Sequence, residues 1–315
     1  MIDDKSTVAG FLLLAGFLVV AGCNETIKDP DGGGTTNPDT KPAPLSEQVY
    51  VGVDQFEQFR QKGAVVLDVR GEEAYDEGHV PGAVRAPWDK FKEDDSDGAF
   101  IESEVSRLQQ AARSLGIDRD EKVLVYGPAS STLPARQAWS LEYIGHGQVH
   151  ILDGGLPAWE KNAEAELSTE IPDVERGSFK VAKRSSILAE DDDIEAAIDD
   201  EKPIVLFDAR SESEYEGTDD RDNPRHGHVP GAIHYNWKNV YDEDGRLRSK
   251  SAIRAELEQK GLLKDGALVI PYCQGGFRSA VVYSILRWLG RDDVKNYDGS
   301  WYEYSRNTEW EVEKK

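Results

Sequence analysis

A chain of 315 residues with 38% hydrophobic positions, 31% charged positions and seven tryptophans exceeds one ordinary domain and has the apolar material for real cores. Its 60 acidic against 37 basic side chains leave a net charge of −23 and a pI near 4.7. That balance argues against a nucleic-acid partner, whose phosphates need a basic surface, and against adsorption of the folded body to anionic lipid. The acidic run Glu190–Asp193 and the tail around Glu311 read as solvated faces.

In chain order, the first feature is an uncharged apolar run of fifteen residues from Val8 to Gly22. A membrane-spanning helix needs about 20 apolar residues, so this run is sized for a signal-peptide core. It ends in Val20-Ala21-Gly22-Cys23, which resembles the bacterial lipobox, an aliphatic and two small residues before an acylated cysteine. The resemblance implies export, cleavage before Cys23 and a lipid anchor; an ordinary signal peptide or a short uncleaved anchor is the alternative. Asp3 and Asp4 depart from the usual positive leader. Asn24 stands where some bacteria place an inner-membrane retention Asp, which favours the outer membrane. Residues 24–47, with Gly32-Gly33-Gly34 and four prolines from Pro30 to Pro44, read as a flexible tether.

The remainder repeats itself. Residues 64–88 (AVVLDVRGEEAYDEGHVPGAVRAPW) and 204–237 (IVLFDARSESEYEGTDDRDNPRHGHVPGAIHYNW) share an aliphatic run, Asp-x-Arg, a tyrosine and Gly-His-Val-Pro-Gly-Ala before a tryptophan. Residues 123–155 and 268–300 match in the same order, so the chain is an internal duplication. Short β-branched runs predict strands at 64–68, 122–126, 148–152, 203–208, 267–272 and 294–297. Apolar recurrence three and four apart predicts helices at 104–115, 133–145, 251–261 and 278–289. Short apolar strands between helices indicate an α/β fold, a parallel sheet covered on both faces in each half. Domains are expected at 48–165 and 178–312, with Pro172 and Gly177 in the linker.

The chemistry concentrates in Cys273-Gln274-Gly275-Gly276-Phe277-Arg278, between the strand ALVIPY and the helix RSAVVYSILRWLG. Groups outside the carboxyl ends of parallel strands form the sites of open α/β sheets. A thiol there meets the positive end of the helix dipole and unpaired N–H groups, both of which favour thiolate. Gly275 and Gly276 allow the loop to curl into an anion-binding nest. A buried structural cysteine would need neither the two glycines nor the arginine at this turn.

Together with the Asp-x-Arg and Gly-His-Val-Pro-Gly-Ala blocks and Asp298-Gly299-Ser300-Trp301-Tyr302-Glu303-Tyr304, this loop resembles the rhodanese family over about 48–312. The likeness is to its two-domain thiosulfate and 3-mercaptopyruvate sulfurtransferases. It implies two tandem rhodanese-like domains, each a central parallel sheet flanked by helices, the first silent and the second catalytic. It implies Cys273 as the nucleophile that carries sulfur as a persulfide. Gln274, Gly275, Gly276, Phe277 and Arg278 are then the substrate-binding loop, with the amides from Gln274 to Arg278 facing the anion. The implied partners are a small anionic sulfur donor and a thiol or cyanide acceptor, with no metal or organic cofactor and a monomeric chain. In the silent half Gly127 or Pro128 stands opposite Cys273. His79, His226 and His228 are expected to be structural, as are the pairs Asp68–Arg70 and Asp208–Arg210.

The loop departs from both branches. Gly275 stands where animal thiosulfate enzymes place a lysine, Glu214 replaces a second family arginine, and the Cys-Gly-Ser-Gly of the mercaptopyruvate branch is missing. Arg278 is thus the loop's one cation, either to clamp the donor or to brace the fold. Thiosulfate is the favoured donor. Two other functions fit a cysteine loop: a persulfide carrier for an envelope partner, and a cysteine phosphatase. The phosphatase loop has five residues between Cys and Arg, against four here.

Overall fold

The computed structural model describes residues 41–93, 100–102, 104–162 and 166–314. The apolar leader, Cys23 and the tether up to residue 40 lie outside them. Asn37–Lys315 make one compact unit that holds every element below.

The first half runs β1 (Tyr50–Val51), α1 (Val53–Gln61), β2 (Val65–Asp68), α2 (Glu72–Glu77), β3 (Val84–Arg85), α3 (Val105–Ser114), β4 (Val123–Tyr126), α4 (Leu133–Tyr143), β5 (Val149–Leu152) and α5 (Gly155–Glu160). Its strands pair in parallel in the order β1-β5-β4-β2-β3. The second half repeats this with β6 (Leu188–Ala189), α6 (Asp191–Ile198), β7 (Ile204–Asp208), α7 (Glu212–Glu216), β8 (Ile233–His234), α8 (Lys250–Gln259), β9 (Leu268–Tyr272), α9 (Phe277–Trp288), β10 (Asn296–Tyr297) and α10 (Ser300–Tyr304). Here β8-β7-β9 and β10-β6 are parallel ladders, and a parallel bridge from Val269 to Val294 sets β10 beside β9. The order is therefore that of the first half. Every predicted strand and helix is present within a few residues.

Burial explains the apolar runs. β4 is buried at all four positions and β5 likewise, as strands covered on both faces must be. One hydrophobic cluster covers the inner faces of both halves, and each sheet has a separate cluster on its outer face. α4 and α9 lie at the junction and are buried nearly all round, from Pro134 to Tyr143 and from Ser279 to Arg287. A helix enclosed on every side is the buried member of a layered structure, not an amphipathic cover.

The end of the expected tether is docked, not free. Ala43 and Ser46 donate backbone hydrogen bonds to Gly145 and Gly147 (2.9 and 2.7 Å), and Arg184 holds the Ala43 carbonyl. The linker between the halves is also strapped to the first: Gly177, Phe179, Ala182 and Arg184 donate to Arg113, Ile117, Ile144 and Tyr143. Each backbone group satisfied this way removes a desolvation cost, so a segment without regular structure can lie against a folded surface.

Candidate active site

Cys273 follows β9 directly and is 1% exposed. The loop closes in four residues, because Phe277 and Arg278 already belong to α9. Gly276 caps that helix at φ +81°, in the left-handed region, and a Cβ there would fall 2.5 Å from an Asp298 carboxylate oxygen. Conformation and space both require glycine at this turn.

The thiol's surroundings favour its anion. Burial raises its pKa, but the Arg278 charge, the Ser279 N–H and hydroxyl and the Gly275 N–H outweigh it, and the net shift is downward. Ser279 Oγ donates to Sγ across 3.6 Å. The expected ring of amides is thus smaller than the loop. Gly276 donates instead to Ser300 Oγ (3.1 Å), as does the amide of Cys273 (3.0 Å). Ser300 Oγ donates to the Tyr297 carbonyl (2.7 Å) and lies 4.0 Å from Cys273 Sγ, so it acts as a knot that ties both ends of the turn beside the thiol.

Arg278 forms a two-pronged pair with Glu214 at 2.6 and 2.8 Å. Burial raises the Glu214 pKa, but Arg278 and Ser211 bring it down to about 2. The loop's one cation is therefore held by a carboxylate, and the position where the family resemblance places an arginine carries the opposite charge. Gln274 makes a reciprocal amide pair with Asn223 (2.9 and 3.1 Å). Phe277 meets Trp88 of the first half edge to face, with centroids 4.8 Å apart. The six expected loop residues are thus together, but three of their side chains are already engaged by protein.

Ser279, Ser300 and Asn223 were not legible as site residues. Ser300 lies in the Asp-Gly-Ser block opposite Gly155, and the serine-for-glycine difference was its one signal. Ser300 keeps φ +53° where Gly155 has +60°, so the serine accepts a strained backbone conformation at the site. Asn223 comes from the stretch between Tyr215 and Gly227 that the first half lacks.

The first half resolves its own alignment. Tyr126 stands opposite Asp68 in the ladder as Tyr272 stands opposite Asp208, and each tyrosine hydroxyl donates to that aspartate (2.6 and 2.7 Å). Gly127, not Pro128, therefore occupies the place of Cys273. Its carbonyl accepts from Leu156 just as that of Cys273 accepts from Trp301, both at 2.9 Å. Arg70 and Arg210 grip Asp68 and Asp208 at 2.7 Å and reach the carbonyls of Gly78 and Gly227. The duplication of these pairs marks them as braces of the fold. His79 and His228 likewise hydrogen-bond Tyr75 and Tyr215 carbonyls and stack on those rings.

The halves roof each other's loops. In the second half Tyr241 and Leu247 close a hairpin, and Leu247 N–H donates to Asp153 (2.8 Å) beside the loop that follows Gly127. In the first, Lys92 and Ile101 are bridged, and Ile101 N–H donates to Asp298 (2.8 Å) beside the cysteine loop. Met1 is the only methionine and Cys23 the only other cysteine, so from Asn24 onward Cys273 holds the one sulfur atom.

The model of the rhodanese-like domain matches residues 53–162 and 190–307. A thiosulfate sulfurtransferase of Corynebacterium glutamicum is 33% identical over 253 residues, covering 76% of this chain and 81% of that protein. The sulfur carrier protein TtuD of Thermus thermophilus is 36% identical over 242 residues, covering 73% and 83%. Among solved structures, SseA of Escherichia coli, described as a 3-mercaptopyruvate sulfotransferase of rhodanese fold, superposes with TM-score 0.72 and 26% identity over 81% of this chain and 99% of that one. The anaerobic ergothioneine biosynthesis enzyme of Chlorobium limicola shares the fold alone, with TM-score 0.75 and 21% identity over 85% and 70%. With both halves matched and a third of the aligned residues shared with a relative over 81% of its length, this chain belongs to the rhodanese family.

Proposed function

We propose that this protein is a thiosulfate sulfurtransferase in which Cys273 carries the sulfur. The observation that carries this is the thiol itself. It lies between a strand end and a helix start, and Arg278, Ser279 and Gly275 lower its pKa despite complete burial. The Cys273 thiolate attacks the outer sulfur of thiosulfate, the S–S bond breaks, and its electron pair leaves with sulfite. The product is a Cys273 persulfide. Cyanide or a thiolate then attacks the terminal sulfur, and the Cys273 thiolate departs as leaving group. Gly275 N–H, Ser279 N–H and the Ser279 hydroxyl serve the anion in both states, since a charge-stabilising site gains most when its donors are fixed beforehand. Gln274 and Phe277, with the glycines, shape the walls of the loop.

The test is turnover of thiosulfate, against 3-mercaptopyruvate, with cyanide as acceptor, on the chain from Asn24 onward. We expect thiosulfate to be the better donor and Cys273→Ser to abolish transfer with an unchanged thermal transition. Turnover retained in that variant would refute the assignment of the nucleophile. The named carrier among the relatives supports a second reading, in which the persulfide is handed to a protein partner. Stoichiometric loading by thiosulfate without multiple turnover on cyanide or small thiols would favour the carrier.

The lipobox-like Val20-Ala21-Gly22-Cys23 supports an exported protein, acylated at Cys23 and held to the envelope, on the outer membrane, by its lipid. Among the described residues no helix is long and apolar enough to cross a membrane. Labelled fatty acid should enter the wild-type chain and not Cys23→Ala. The contacts of Ile101 with Asp298 and of Leu247 with Asp153, both made within one chain, support a monomer as the active form, and sedimentation should show one species.

A further inference from the structure

Arg136 sits on α4, in the half without a cysteine, and its side chain is 2% exposed. The second half has an aliphatic residue, Val281, at the matching helix position. A buried guanidinium needs a partner, and this one reaches across the junction to the Asp298 carboxylate. The pair lies against the cysteine loop. A Cβ on Gly276 would stand 2.6 Å from Arg136 Nη1 and 2.5 Å from Asp298 Oδ1. The same guanidinium lies 5.3 Å over the ring of Phe277, the first residue of α9. Two residues after Asp298, Ser300 ties the amides of Cys273 and Gly276 together.

We propose that Arg136 is a positioning residue for sulfur transfer, through which the silent half holds the Cys273 loop in its anion-binding curl. The proposal rests on the sulfurtransferase function given above. The path is physical at each step. Arg136 fixes Asp298, whose second oxygen is fixed by Ile101 N–H (2.8 Å). Asp298 fixes the turn that presents Ser300 in its left-handed conformation. Ser300 then draws the Gly276 amide away from the sulfur and leaves those of Gly275 and Ser279 facing it.

The test compares Arg136→Met, Arg136→Lys and Ser300→Gly with wild type, on the chain from Asn24 onward. The readouts are kcat and KM for thiosulfate, the pH dependence of Cys273 alkylation by iodoacetamide, and the thermal transition. Small misplacements of a reacting group cost on the order of 100-fold, so Arg136→Met should lower kcat by about 10- to 100-fold. KM should change less, the alkylation midpoint should rise, and Arg136→Lys should recover part of both. Ser300→Gly suits the left-handed backbone and the precedent of Gly155, so it should fold while still lowering kcat and raising the midpoint. The proposal is overturned if folded Arg136→Met keeps the wild-type kcat and alkylation profile. It is equally overturned if Arg136→Met fails to fold and Ser300→Gly keeps both. Alkylation needs no donor, so a chain inactive with every donor would sink the functional assignment while leaving this test intact.

Discussion

The first charge beside the Cys273 thiol is Arg278, and the first charge beside Arg278 is the Glu214 carboxylate, 2.6 Å away. The carboxylate tempers the cation that lowers the thiol's pKa and occupies the guanidinium edge that an anionic donor would use. In Glu214→Gln the cap of α7 at Ser211 can persist, because glutamine also serves a capping box. The alkylation midpoint of Cys273 should fall further and KM for thiosulfate should drop several-fold. The same variant leaves a buried cation half-paired and should cost roughly 1–3 kcal/mol of stability. Glu214 is held at about 2, below its unfolded range, so its contribution is present above about pH 4.5 and fades as the pH falls toward 2. An unchanged KM in the variant would show that the donor never meets Arg278. The cysteine, the glycines and the arginine of this site were legible in the sequence, because each has a local reason at a strand-to-helix turn. Glu214, Asn223 and Ser300 were not legible as loop partners, since their contacts cross from other elements and no spacing encodes them.

At the scale of elements, the junction of α4 and α9 carries a second ionisable pair. Glu142 accepts from the Tyr283 hydroxyl (2.9 Å), with Arg287 and Arg184 near. Burial raises its pKa to about 7, more than the tyrosine and the two arginines lower it. The folded chain therefore holds a proton that the unfolded chain releases at about pH 4.5, and the junction loses stability as the pH rises from there to about 7. Glu142→Gln keeps the hydrogen bond without the charge. Its thermal transition should exceed that of wild type at pH 8 by an amount equivalent to about 1–3 kcal/mol, and the difference should vanish near pH 4.5. Equal transitions at both pH values would show that Glu142 ionises freely in the fold. Periodicity revealed both helices but not that they meet, because residues 133–143 and 277–288 are enclosed on nearly every face. The edge strands β1 and β6, at two residues each, are too short to carry any alternation.

At the scale of the molecule, 60 acidic and 37 basic side chains leave a strong self-repulsion. Screening lengths shrink from about 10 Å at 0.1 M salt to about 3 Å at 1 M. The thermal transition should therefore rise with sodium chloride over that range, as followed by circular dichroism at constant pH. A fall would mean that the specific ion pairs outweigh the net charge. The duplication of a parallel α/β unit could be read from the matched sequence blocks. The way the halves face one another could not, because it depends on contacts such as Ile101 to Asp298 and Leu247 to Asp153 that no spacing encodes.

Those two contacts obey a symmetry. Ile101 donates to Asp298 as Leu247 donates to Asp153, each half covering the loop of the other. That exchange is the signature of a two-fold symmetric pair, in which one patch meets its own copy. The two halves of one polypeptide thus meet as the two copies of a symmetric dimer would, except that one cradle holds Cys273 where the other holds Gly127.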